Sequence, residues 1–424
     1  MSEAQEAAAT EPATLRTLFR DRPFGFYIAN RVVQTIAMSV QTATITWQVY
    51  EITGSALPLA AVGVIRFIPA FILSFVGGAV ADTRDRRWVL GLSQIPPILI
   101  SLLLWWSTLV QADTLTLIYV TSAVLGMAGA FEGPARQSLL PQVVPRPWFQ
   151  RAVTVGTTIQ QLARILGPSA AGFLIYALGV APAYLAHVAL AVAGLVLLAG
   201  IALRERSPRR SGGISLVMVL EGLAYVWNSP AVLGAIALDL FAVIFASAEA
   251  LLPIYANDIL GVGAQGYGLL NSARGVGAFA ASAVLTALPP IVATGRTMVL
   301  TVAVFGLATA AFGLSPWFPL SLLFYGISGA ADQVSVVMRQ SIIQLSTPDE
   351  LRGRVNSVYS VSIGASGQLG AVESGLVSTW TNPVFAVVSG GVGCVLSLVV
   401  IVRLLPQLWR HQTGPTPTAG TEKA

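Results

Sequence analysis

Apolar runs about the length of a membrane span, separated by short polar stretches, set the pattern of this chain. A helix needs about 20 apolar residues to cross a bilayer. By that measure the sequence predicts about twelve helical spans, near 23–50, 56–81, 88–110, 115–140, 152–177, 181–203, 231–256, 266–290, 296–315, 317–343, 354–378 and 382–405. Several contain Gly or Pro, which neighbouring helices accommodate inside a bilayer. The expected class is an all-α membrane protein.

The pattern is doubled. Arg136-Gln137-Ser138 recurs as Arg339-Gln340-Ser341, a spacing of 203 residues. At the same spacing Pro145 meets Pro348, Arg151 meets Arg354, Gly167 meets Gly370 and Gly172 meets Gly375. Twelve spans in two similar halves with the same orientation are an architecture of secondary transporters. The expected organisation is a cytosolic lead (1–22), a six-helix half (23–203), a cytosolic linker with an interfacial helix (204–230), a second six-helix half (231–405) and a disordered cytosolic tail (406–424).

Composition agrees with the pattern. Charged residues are 10% of the chain, against roughly 25% in a soluble domain. The lead carries acids and arginines and no apolar core, so it does not read as a signal peptide. The basic balance comes from 23 arginines and one lysine, most of them between the apolar runs. With the N-terminus inside, the inner loops hold Arg84, Arg86, Arg87, Arg146, Arg151, Arg204, Arg206, Arg209, Arg210, Arg296, Arg352 and Arg354. The outer loops carry Glu51, Asp113 and Asp258 and no basic residue. The positive-inside rule then puts both termini in the cytoplasm of a cell-membrane protein, with lipid headgroups rather than nucleic acid as partners of the arginines. One cysteine, Cys394, allows no disulfide framework within the chain.

The loop after the second span reads Gly78-Ala-Val-Ala-Asp82-Thr-Arg84-Asp85-Arg86-Arg87. It resembles the signature loop of the major facilitator superfamily, Gly-x-x-x-Asp-Arg-x-Gly-Arg-Arg. Glu51-Ile-Thr-Gly-Ser-Ala, Glu132-Gly-Pro-Ala-Arg136-Gln, Leu252-Pro-Ile-Tyr-Ala and Gly266-Tyr-Gly-Leu-Leu resemble the branch of enterobactin-type siderophore and multidrug exporters. The resemblance implies the major facilitator fold and a gating role for Gly78, Asp82, Arg86 and Arg87. The bland reading of the arginines is that they only set topology. In span five, Gly167-Pro168-Ser-Ala-Ala-Gly172 is similar to the superfamily's exporter motif, with Ala163 and Ala171 in place of two glycines. Small residues at this spacing also serve close helix packing alone.

Charges inside spans are the other signal. An ionisable group at mid-membrane costs about 2.5–3.5 kcal/mol on insertion scales, so it needs a partner or a function. Asp332, Glu132, Asp239, Glu249, Arg31 and Arg66 are candidates for proton coupling or substrate contact, with Glu373 a further carboxylate. Arg136 and Arg339 occupy equivalent positions and read as structural or gating charges. Arg66 and Arg274 are approximate counterparts. Glu132 lies one helical turn from Arg136 and can pair with it. His187 reads as a packed helix-contact residue.

The expectation is a secondary active transporter working by alternating access, a proton-coupled exporter of amphipathic drugs, metabolites or siderophores. Importer, facilitator and non-transporting sensor are the alternatives. A monomer is expected, with no cofactor, metal or enzymatic activity. There is no Gly-x-x-x-x-Gly-Lys-Ser/Thr loop for an ATP-driven pump and no Gly-x-Ser-x-Gly elbow.

Overall fold

The computed structural model describes residues 15–83, 85–202, 216–289 and 291–412. Its elements in order are α1 (Leu15–Arg20), α2 (Arg22–Thr53), α3 (Ala56–Thr83), α4 (Arg86–Leu109), α5 (Leu115–Val143), α6 (Phe149–Leu178), α7 (Val180–Ala199), α8 (Leu216–Asn228), α9 (Pro230–Ala246), α10 (Gly263–Ala287), α11 (Thr294–Leu314), α12 (Phe318–Ser346), α13 (Arg352–Trp380), α14 (Pro383–Leu404) and α15 (Pro406–Arg410). Between α9 and α10 lie a 3-10 turn (Glu249–Leu251), one α turn (Leu252–Ile254) and a π turn (Tyr255–Ile259). Among the described residues every element is helical, and the twelve predicted spans are α2–α7, α9 with the turns after it, and α10–α14.

Local chemistry sets the helix ends. The Asp21 carboxylate accepts from the Phe24 N–H at 3.2 Å to open α2, and Gly54, at φ 56°, closes it in the left-handed region. Thr114 and Asn382 cap α5 and α14 the same way. Among the described residues, nine of the twelve are long and apolar enough to cross a membrane by length and composition alone. The other three are α2, α10 and α13. Their polar content explains this, and in α2 it faces inward: Asn30, Gln34, Gln41, Thr44 and Gln48 are all buried.

Two compact units form. The first is residues 1–214 with 252–272, and the second is 215–251 with 273–424. The units therefore differ from the sequence halves by one excursion, in which 252–272 packs with the first unit. Two contacts within that unit hold it. Gly268 lies against Gly172, where an added Cβ on Gly172 would come within 2.9 Å of the Gly268 Cα. Tyr50 donates a hydrogen bond to Asp258, and Asn257 Nδ2 donates to the Tyr50 oxygen at 2.8 Å. Leu18, Phe24, Leu90, Leu139 and Ile201 are in the first unit's core, and Leu238, Met298, Ile342 and Cys394 in the second's. Large apolar side chains such as Leu99, Trp106, Leu307 and Leu396 stay exposed, as lipid-facing positions do.

One expectation is corrected. The tail is not irregular from residue 406. Pro406–Arg410 forms α15, because Leu408 is fully buried and the Arg296 guanidinium lies 5.7 Å from the Trp409 ring centroid. Residues 413–424 and the first part of the linker, through residue 215, lie outside the described residues, and the rest of the linker is α8 and the residues after it.

Candidate functional site

The functional side chains are the charges inside the spans, and the first unit is the simpler case. Arg31 on α2 donates to the Tyr27 oxygen at 3.1 Å and to Gln160 Oε1 on α6. Arg66 on α3 donates to Thr42 Oγ1 at 3.1 Å and lies within electrostatic reach of Glu132. Glu132 is ion-paired with Arg136 one turn along α5. Glu132 thus serves Arg136 and Arg66, while Arg31 meets neutral partners. Arg164 is exposed.

In the second unit two arginines inside the spans each meet an acid from another helix. Arg274 on α10 donates to Asp332 Oδ2 on α12 at 3.0 Å, and its guanidinium lies 6.0 Å from the Phe305 ring centroid. Arg339 on α12 is ion-paired with Asp239 on α9, with side chains only 2% and 7% exposed. Arg339 Nε also donates to the Tyr359 oxygen at 2.9 Å. A buried charge left alone is costly, so this triad is held by mutual need. Glu249 is exposed in the 3-10 turn after α9, which ends at Ala246 rather than running on as the sequence predicts.

The motif in α6 is used on two sides. Gly167 meets Ser39 of α2, where a Cβ would overlap that side chain, and Gly172 meets α10 at Gly268. Ser169 and Ser272 are hydrogen-bonded at 2.7 Å beside this contact. Gly78 and Asp82 lie in α3, but their side chains are outside the described ones, as is Arg84. Arg87 donates to the carbonyls of Ile201, at 3.0 Å, and Ala199, capping the end of α7 with a positive charge. Arg86 lies in the first turn of α4. His187 is buried.

Sequence reasoning missed two networks. Gln48 accepts from the Tyr184 hydroxyl at 2.6 Å and donates to Thr108 at 2.8 Å and Asp113 at 3.2 Å. Tyr50, Asn257 and Asp258 form the other. Asp113 and Asp258 read as loop charges, and nothing in their spacing points to α2.

It also missed a second register. Gly126 and Gly329, 203 residues apart, each press on the backbone carbonyl of an arginine, Arg66 and Arg274. Those arginines are 208 apart. Gly167 and Gly370 press on Ser39 and Ser247, again 208 apart. The early helices of the halves therefore align at 208 and the later ones at 203. This makes Arg31 the counterpart of Asp239.

The sequence family described as a transmembrane secretion effector matches residues 16–415. The enterobactin exporter EntS of Escherichia coli O1:K1 / APEC is 26% identical over 418 residues, covering 97% of this chain and 96% of the exporter. Among solved structures, a peptide transporter of the POT type in complex with sulfate gives a TM-score of 0.73 at 12% identity, covering 98% of this chain and 100% of that one. A bacterial homologue of the iron transporter ferroportin in the inward-facing state gives 0.71 at 16%, covering 92% and 99%. At such identities the structures speak for the fold alone.

Proposed function

The chain belongs to the transmembrane secretion effector family of major facilitator transporters, and from that membership we propose a proton-coupled exporter of amphipathic small molecules in the cell membrane. The observation that carries this reading is the end-to-end likeness to the enterobactin exporter, which runs across both halves. Two similar halves are the architecture on which alternating access works in such transporters.

The charges add a substrate preference. Inside the first unit's spans Arg31 and Arg66 are bonded to neutral side chains, and Arg136 takes the carboxylate of Glu132. This excess of positive charge suits an amphipathic molecule with an acidic group, as a catecholate or carboxylate has. The Arg136–Glu132, Arg274–Asp332 and Arg339–Asp239 pairs act as structural or gating charges, broken or kept through the cycle. The gating loop is Gly78, Asp82, Arg86 and Arg87, and Gly167, Pro168 and Gly172 form the exporter-like helix motif. The transporter works as a monomer with both termini cytoplasmic.

The test uses inside-out membrane vesicles with an imposed proton gradient and a panel of amphipathic acids, cations and siderophores. Gradient-driven uptake, collapsed by a protonophore and favouring the acidic compounds, is the expected result. Asp332→Asn should lower that uptake by leaving Arg274 without its carboxylate. Uptake of none of the panel sinks the exporter reading, and uptake indifferent to the protonophore sinks the proton coupling.

A further inference from the structure

Three carboxylates inside the spans are each held by an arginine: Glu132, Asp239 and Asp332. Glu373 on α13 is not. It is half-buried about two turns from Trp380. Its one hydrogen-bond partner among the described residues is Ser374 Oγ, at 3.4 Å. The charged and titratable groups on the elements packed against α13 are accounted for elsewhere. Asp239 on α9 binds Arg339, Glu221 on α8 binds Arg354, and Tyr225 donates to the Ser346 carbonyl. Glu249, in the 3-10 turn, and Arg403 and Cys394, on α14, make no ion pair or hydrogen bond with Glu373.

The surroundings of Glu373 are unusual in a second way. α9 stops at Ala246, and Ser247 and Ala248 are not helical. A helix end leaves its last carbonyls without helical donors. Two contacts press α13 against this break. Ser374 Oγ donates to the Ser247 carbonyl at 2.6 Å, and an added Cβ on Gly370 would come within 2.7 Å of the Val243 carbonyl. Ser374 touches both the break and the carboxylate. An ionised Glu373 sits one residue from the Ser374 contact with this carbonyl-rich helix end, with no cationic partner among the described residues. A protonated carboxyl removes the charge and adds a donor that a bare carbonyl can accept.

The other half lacks both features together. The counterpart of Ser247 is Ser39, where α2 runs on unbroken, and the counterpart of Glu373 is Ala170. An acid without a cation among the described residues and an interrupted helix therefore occur together in one half only, joined through Ser374.

We propose that Glu373 carries the coupling proton, held as a neutral carboxyl at the α9 break and released when the Ser374–Ser247 contact opens. On release the carboxyl O–H bond breaks, its electron pair stays on Glu373 and the proton passes to water. The assignment rests on the transport reading above and deepens it.

The test needs no transported compound. The infrared absorption of protonated carboxyl groups is recorded for the full-length protein in detergent at neutral and at alkaline pH. The expected result is a carboxyl band at neutral pH that fades at alkaline pH. The band should be absent in Glu373→Gln, kept in Glu373→Asp and kept in Asp332→Asn. Gln resembles the neutral acid, so Glu373→Gln should unfold at the same temperature as the parent. A band that survives Glu373→Gln, or no band in the parent at neutral pH, overturns the assignment. So does a band abolished by sodium but kept in choline, which would make this a sodium site. These outcomes concern Glu373 alone, whereas failure of every compound in vesicle uptake would tell against export and leave the spectrum standing.

Discussion

Arg136 and Arg339 are the same residue in the two halves, yet they are neutralised in opposite ways. Arg136 takes a carboxylate from its own helix, Glu132, one turn away. Arg339 takes one from another helix, Asp239 on α9, and adds Tyr359 from α13. The reason is legible in the counterparts. Where the second half has Asp239 the first has Arg31, and where the second has Tyr359 the first has Gly156. In the first half the acid stands on the same helix as its arginine. Ser335 now stands at the position of Glu132. The lesson is that duplication kept the packing and redistributed the charge. One half is locally balanced and electropositive, and the other is cross-linked by ion pairs between helices.

Breaking the cross-link should have the largest effect. Asp239→Asn leaves Arg339, 2% exposed, without its charge partner. The loss should be about 3–5 kcal/mol, the usual cost of orphaning a buried ion, read as a lowered unfolding midpoint in detergent. Glu132→Gln should cost less, since the Arg136 side chain is 15% exposed. Adding Ser335→Glu to Asp239→Asn places a carboxylate one turn from Arg339, as in the first half, and should recover part of the loss. If Glu132→Gln proves as damaging as Asp239→Asn, the contrast between the halves is wrong.

The shared packing can be tested at equal strength in both halves. Gly126→Ala and Gly329→Ala each drive a Cβ into an arginine carbonyl on the neighbouring helix. Each should cost about 1–3 kcal/mol, the range for overpacking, by the same midpoint measurement. Similar losses support the 208-residue register, and a loss confined to one glycine would mean the close approach is not common to the two halves.

The sequence carried the twelve spans, the doubling and the close packing at Gly167 and Gly172, because hydropathy and small-residue spacing are local signals. It carried the paired Arg136 and Arg339 because they share one unbroken register. It could not carry the Asp239–Arg339 pairing, which joins residues 100 positions apart. Nor did the 203-residue register expose the Arg31–Asp239 exchange, since the early helices are offset by five more residues. Arg66 and Arg274 held the clue: their spacing of 208 already departs from 203. The break in α9 was hidden too, for Ala246-Ser247-Ala248 is as apolar and small as a helix interior.

The smallest effect isolates what Tyr359 adds. Its hydroxyl oxygen accepts from Arg339 Nε at 2.9 Å, and its ring centroid lies 5.3 Å from the guanidinium carbon. Tyr359→Phe removes the acceptor and keeps the ring, so the cation remains over an aromatic face and paired with Asp239. The loss should be about 1 kcal/mol, the net worth of one hydrogen bond. Tyr359→Gly would copy the first half, where Gly156 leaves room for Arg31, but it would also empty a ring-sized space. Only the Phe variant therefore compares the bond itself. If it lowers the unfolding midpoint as far as Asp239→Asn, the hydroxyl rather than the carboxylate holds Arg339, and the cross-link between helices is a triad in which the ion pair is the lesser part.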